Sequence, residues 1–176
     1  MTAFERALKL TFGYEGGFAN DPDDPGGRTM MGVTEAVYHD WLRSHAKPLT
    51  DVADITIQEA SDLYRERYWD DGGCDRLPDM LAVTHFDACV NHGVRQAIKL
   101  LQRAVGTADD GQVGPNTIGA ANSVDEDRAV REYIRKRTDF YVWLWMNRPN
   151  MRKFMGGWIS RVRHLEDAVL TREEWR

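Results

Sequence analysis

Residues 80–90, MLAVTHFDACV, are apolar on nearly every side. A helix of that kind cannot sit at a surface with one face in water. It has to run through the middle of the molecule, with other elements wrapped around it. Pro78 suits its first turn. This one stretch therefore favours a mainly α chain built on a central helix. Thr84, His85, Asp87 and Asn91 interrupt the apolar run, and Asp87 and Asn91, four apart, share a face. Polar groups on a buried helix must be hydrogen-bonded or must line a cavity. Asp87 and Asn91 are therefore candidates for lining a cleft. His85 reads as a satisfied structural histidine, because no other His stands at ligand spacing from it.

The remaining chain supplies helices to do the wrapping. Thr2 with Glu5, Thr56 with Glu59 and Ser123 with Glu126 each have the spacing of a capping box. Phe4, Ala7, Leu8 and Phe12 form an apolar stripe after the first box. Thr34 opens a helix that ends before Pro48, and Gly106 and Pro149 close two later ones. The helix after Glu126 carries Ala129, Val130, Tyr133, Ile134, Arg137, Phe140, Tyr141 and Leu144 along its apolar face. Tyr68-Trp69 ends the helix that starts at Thr56; aromatic residues at such an end read first as core, with sugar stacking by Tyr68 as the alternative. The pattern predicts seven or eight helices and a small β or loop region near residues 16–33, with Thr29–Val33 as one short strand and Gly32 as a close-approach point. At 176 residues, the chain suits one domain.

The net charge of −5 is unevenly spread. Residues 1–127 hold 11 Lys+Arg against 22 Asp+Glu, net −11; residues 128–176 hold 12 against 6, net +6. An acidic front argues against nucleic-acid binding, which wants a basic face overall. The basic segment is either a solvated helical face or a surface for an anionic polymer or envelope. The N-terminus has no charged-then-apolar signal pattern, so folding in a cytosol is expected. Cys74 and Cys89 are expected to be free thiols there.

The chemistry concentrates between Tyr14 and Thr34, YEGGFANDPDDPGGRTMMGVT. Glu15 stands where the first helical pattern stops, and Gly16-Gly17 can end a helix. The negative end of the helix dipole and nearby aromatic rings both disfavour ionisation there, which raises a carboxyl pKa toward that of a general acid. Asp21, Asp23 and Asp24 follow in a turn-rich loop. A protonated carboxyl facing a second carboxylate is what acid-catalysed glycoside cleavage requires. A calcium loop counted from Asp21 fails, because Pro25 and Gly32 fall where ligands are needed. No metal or cofactor is expected.

The run EGGFANDPDDPGGRTMMGVT resembles the N-terminal signature of glycoside hydrolase family 108, a group of N-acetylmuramidases. The resemblance continues through LYRERYW, HFDACVNHGVRQAIKLLQRAVG, DDGQVGPNTIGA and GGWISRVRHL, so it covers nearly the whole chain. It implies a lysozyme-like fold, with residues 1–92 as a catalytic segment and 93–176 as a helical peptidoglycan-binding segment. It implies Glu15 as the catalytic acid. Phage lysozymes follow their Glu with an acidic residue nine positions on and a Thr six further. Here Asp24 stands nine after Glu15, while Thr29 stands five further and Met30 six. Asp24, Asp21 and Asp23 stay open as partners, with Thr29 as the residue that would orient water, and Tyr68, Asp87 and Asn91 as substrate contacts. The expected activity is cleavage of the β-1,4 bond between N-acetylmuramic acid and N-acetylglucosamine by a monomer acting as a phage endolysin, made in the host cytoplasm and released to the wall by a holin. A lytic transglycosylase and a non-catalytic, secretion-related wall-binding protein are the alternatives.

Overall fold

Every residue from Met80 to Cys89 is buried, and the helix that carries them is the axis of the molecule. The computed structural model describes residues 1–14, 19–20 and 28–171. Among these are eight α-helices and one small three-stranded sheet. In chain order they are α1 (Ala3–Tyr14), β1 (Ala19–Asn20), β2 (Arg28–Met30), β3 (Val33–Thr34), α2 (Glu35–Ser44), α3 (Ile57–Tyr64), α4 (Asp79–His92), α5 (Val94–Val105), α6 (Pro115–Ser123), α7 (Glu126–Asn147) and α8 (Met155–Thr171). The fold is mainly α and lysozyme-like, as the sequence implied. α4 packs against α1, α5, α7 and α8, and one core runs from Ala7 to Val169.

Local chemistry explains the helix starts. The Thr2 amide donates to Glu5 Oε2 at 2.7 Å, and the Glu5 amide donates to Thr2 Oγ1 at 3.2 Å. Thr56 and Glu59 form the same reciprocal pair at α3. The third expected box does not form. Asp125 caps α7 instead, accepting from the Arg128 amide at 2.9 Å. Glu126 is then free to reach across the fold, where its Oε1 accepts from the Met80 and Leu81 amides at 2.7 and 3.3 Å. α4 begins at a proline whose side chain cannot cap, so a carboxylate from another helix satisfies its first turn.

The expected single strand over Thr29–Val33 is instead a hairpin. β2 and β3 pair through Thr29 with Thr34 and Met30 with Val33. Met31 and Gly32, at φ of 50° and 74°, make the two-residue turn between them. Positive φ at both positions matches the turn that best suits strand twist. Gly32 therefore serves the turn rather than a close approach. β1 joins on the other side, with Ala19 opposite Thr29 and Asn20 opposite Arg28.

Candidate active site

Tyr64 is the side chain that ties the candidate site together. Its hydroxyl donates to the Met31 carbonyl at 3.0 Å, fixing the β2–β3 turn. Its ring meets Phe12 of α1 edge-on at 5.6 Å and lies 6.2 Å from Phe86 of α4. One buried tyrosine thus joins the last turns of α1, the sheet and the central helix. Arg28 secures the other side of the sheet, pairing with Asp51 at 2.8 Å and Glu35 at 3.3 Å.

Glu15 follows Tyr14, the last residue of α1; it and Asp21, Asp23 and Asp24 lie outside the described residues. Residues 21–27 connect β1 to β2, whose facing positions Asn20 and Arg28 stand about 5 Å apart, as in any antiparallel pair. Thr29 lies in β2, half-buried and next to Met30, which packs on the core. Tyr68 sits in a single π-helical turn, Arg65–Asp70, that continues α3, and its ring lies 5.5 Å from that of Tyr64. Tyr68 therefore lies beside Tyr64, and Thr29 lies in the hairpin whose turn Tyr64 holds.

Asp87 and Asn91 face the opposite bundle. Asp87 is 3 % exposed, with Oδ2 2.8 Å from Arg137 of α7 and Oδ1 accepting from Arg161 of α8, also at 2.8 Å. Both oxygens are committed to guanidinium groups, so the expectation that Asp87 lines a cleft gives way to an interior role. Burial alone would raise its pKa; the two cations outweigh that and hold the carboxyl below its usual range. Asn91 is half-buried, and its Oδ1 accepts from Tyr141 at 2.6 Å. His85 is satisfied as expected, with Nδ1 2.7 Å from the Tyr133 hydroxyl and Nε2 3.1 Å from the Gly72 carbonyl. Cys74 and Cys89 are buried free thiols.

Sequence reasoning missed Arg137, Arg161, Tyr64 and His92 as organisers. Arg137 left a trace: it is a cation on the apolar face of α7. The His92 ring packs 5.0 Å from Tyr141 and 5.4 Å from Phe140. Desolvation, with Arg137 and Arg161 nearby, outweighs the pull of Asp87 and lowers its pKa to about 3. A histidine depressed in the folded state holds a proton more readily when unfolded. Its stabilising effect is complete above about pH 6.5 and shrinks as pH falls toward 3. Asp87 adds nothing to that slope above pH 5, since its carboxyl is already ionised in both states. Urea unfolding at pH 7, 6 and 5 should show wild type losing stability by up to about 1.4 kcal/mol per unit relative to His92→Gln. Parallel pH profiles for the two proteins would contradict a neutral, desolvated His92.

Comparison with known proteins agrees with this architecture. The model described as Glycosyl hydrolase 108 matches residues 8–93, and that described as Predicted Peptidoglycan domain matches residues 96–163. No curated protein matches the chain. Among solved structures, that of Brucella abortus SagA is similar at 32% identity and a TM-score of 0.82, over 96% of this chain and 94% of that one. The chain belongs to the glycosyl hydrolase 108 family and is a glycoside hydrolase that acts on peptidoglycan.

Proposed function

We propose that the enzyme hydrolyses the β-1,4 bond between N-acetylmuramic acid and N-acetylglucosamine. Glu15 protonates the departing glycosidic oxygen. An aspartate of residues 21–27, Asp24 by preference, activates water or stabilises the positive sugar. Thr29 orients that water from β2, and Tyr68 contacts the glycan. The observation that carries the reading is the position of Glu15 in the chain. It comes between the end of α1 and a sheet that Tyr64 ties to that same helix.

Product analysis tests it. Purified peptidoglycan digested to completion and examined by mass spectrometry should yield fragments ending in a reducing N-acetylmuramic acid, each carrying the mass of one added water. Reducing N-acetylglucosamine ends would assign the other glycosidic bond. Anhydro ends, formed when a sugar closes on its own hydroxyl, would make the enzyme a lytic transglycosylase. The first-formed anomer, followed by NMR, reports whether water enters opposite the leaving group or after a covalent intermediate.

A further inference from the structure

A groove of ≈ 470 Å³ runs between α5 and α7, well away in sequence from the Glu15 stretch. That size falls in the usual range for small-ligand sites, about 300–1,000 Å³. One wall is aromatic. Phe140 and Trp143 lie one helical turn apart on α7, with ring centroids 6.0 Å apart and planes 7° from parallel. Together the two parallel rings form an apolar wall, with Trp143 as its exposed shelf. Trp143 is 49% exposed, an unusual state for the largest apolar side chain. Phe140 is braced from behind by His92.

The other wall is cationic. Lys99 and Arg103 on α5 and Lys136 on α7 line the groove, with Asp139 as the one acidic residue among its lining. Asp139 is already engaged by Arg135 at 3.1 Å. Arg103 uses its Nε on Asp109 at 2.6 Å, and Lys136 meets Glu132 at 3.5 Å. Lys99 has no ion pair among the described residues. A pyranose ring offers a flat face of C–H groups, which such a shelf can cover, removing apolar surface from water. Carboxylates beside that ring would meet the lysine and arginine donors. Peptidoglycan presents that combination: an N-acetylated sugar chain with stem peptides ending in carboxylates. All the lining residues also fall inside the 96–163 segment that matches the peptidoglycan-domain model.

We propose that the α5–α7 groove is a second glycan site, which holds a peptide-bearing strand by stacking a sugar on Phe140–Trp143 and pairing its stem carboxylates with Lys99, Arg103 and Lys136. The inference rests on peptidoglycan being the substrate. It gives Lys136 of the basic 128–176 segment a ligand, shared with Lys99 and Arg103 of α5.

Cosedimentation with purified sacculi tests it, in a Glu15→Gln background so that the wall stays intact. Trp143→Ala should weaken binding roughly three- to tenfold, and Lys99→Ala roughly twofold or more, with unchanged melting temperatures. On intact sacculi whose free carboxylates have been converted to amides with a carbodiimide and ammonia, the Lys99→Ala defect should vanish while the Trp143→Ala defect remains. In the otherwise wild-type enzyme, neither change should alter cleavage of short soluble glycan fragments. Unchanged sacculus binding in both variants overturns the proposal, and if the same variants lose binding to anionic phospholipid vesicles, the groove faces a membrane. A Lys99 defect that persists on the amidated sacculi overturns the carboxylate assignment. Solubilisation of the sacculi by the Glu15→Gln protein would be a failure of the catalytic reading, visible separately from any change in binding.

Discussion

The Glu15→Gln enzyme should release reducing ends from peptidoglycan about 10²–10⁴-fold more slowly than wild type, while still binding the wall. Gln has the shape of Glu but no acidic proton to give. The sugar–oxygen bond breaks only as fast as its oxygen can leave, and an unprotonated alkoxide leaves poorly. Position supports the choice of this glutamate. It follows the C-terminus of α1, where the dipole opposes a negative charge, and Phe12, in the helix's last turn, is packed on Tyr64. Circular dichroism of the variant guards against misfolding. Full turnover by folded Glu15→Gln protein would remove Glu15 from the acid role. The same assay on Asp21→Asn, Asp23→Asn and Asp24→Asn identifies its partner, since only the true one should approach the Glu15→Gln loss.

Asp87→Ala should be the most destabilising single change in the interior. It leaves Arg137, fully buried, and Arg161, mostly buried, facing each other without an anion. Removing one partner of a buried ion network costs about 3–5 kcal/mol, because the orphaned charge stays desolvated. For a chain of this length, that lowers the melting temperature by about 6–20 °C. A rescue distinguishes charge from packing: Asp87→Leu with Arg137→Met replaces charge by apolar volume and should recover part of the loss. The pH dependence has a definite sign. Because the folded carboxyl titrates below its usual range, its stabilisation is present above about pH 4 and fades as pH falls through the lowered pKa. A loss under about 1 kcal/mol in Asp87→Ala at pH 7 would mean the network is solvated rather than buried.

Much of the fold was legible because its causes are local. Helical stripes and the Thr2–Glu5 and Thr56–Glu59 boxes need only neighbours in sequence. The central helix declared itself by being apolar on nearly every side. What stayed hidden depends on distant partners. Nothing near Glu126 indicates that it will cap α4 rather than its own helix, since Met80 and Leu81 are far away in the chain. Asp87 and Asn91 were readable as polar residues that needed partners, but not as carrying Arg137, Arg161 and Tyr141. The β2–β3 turn was missed because Met31 is not a turn-forming residue, yet it adopts positive φ. The π turn at Arg65–Asp70 has no sequence signal at all. In the candidate site, Glu15 stood out through helix periodicity and its glycines, whereas Tyr64 looked like any other aromatic of α3.

The Asp87 network also bears on how such enzymes can be inherited. The carboxylate sits in the segment matching the hydrolase model, and both guanidinium groups sit in the segment matching the peptidoglycan-domain model. The two parts are spliced through a shared electrostatic joint at the molecule's centre. A recombination event that exchanged the second part for a foreign one would strand Asp87 unless the newcomer brought matching arginines. Wall-binding modules strung on linkers can be traded freely between genes; these two are constrained to travel, and to drift, as a matched pair.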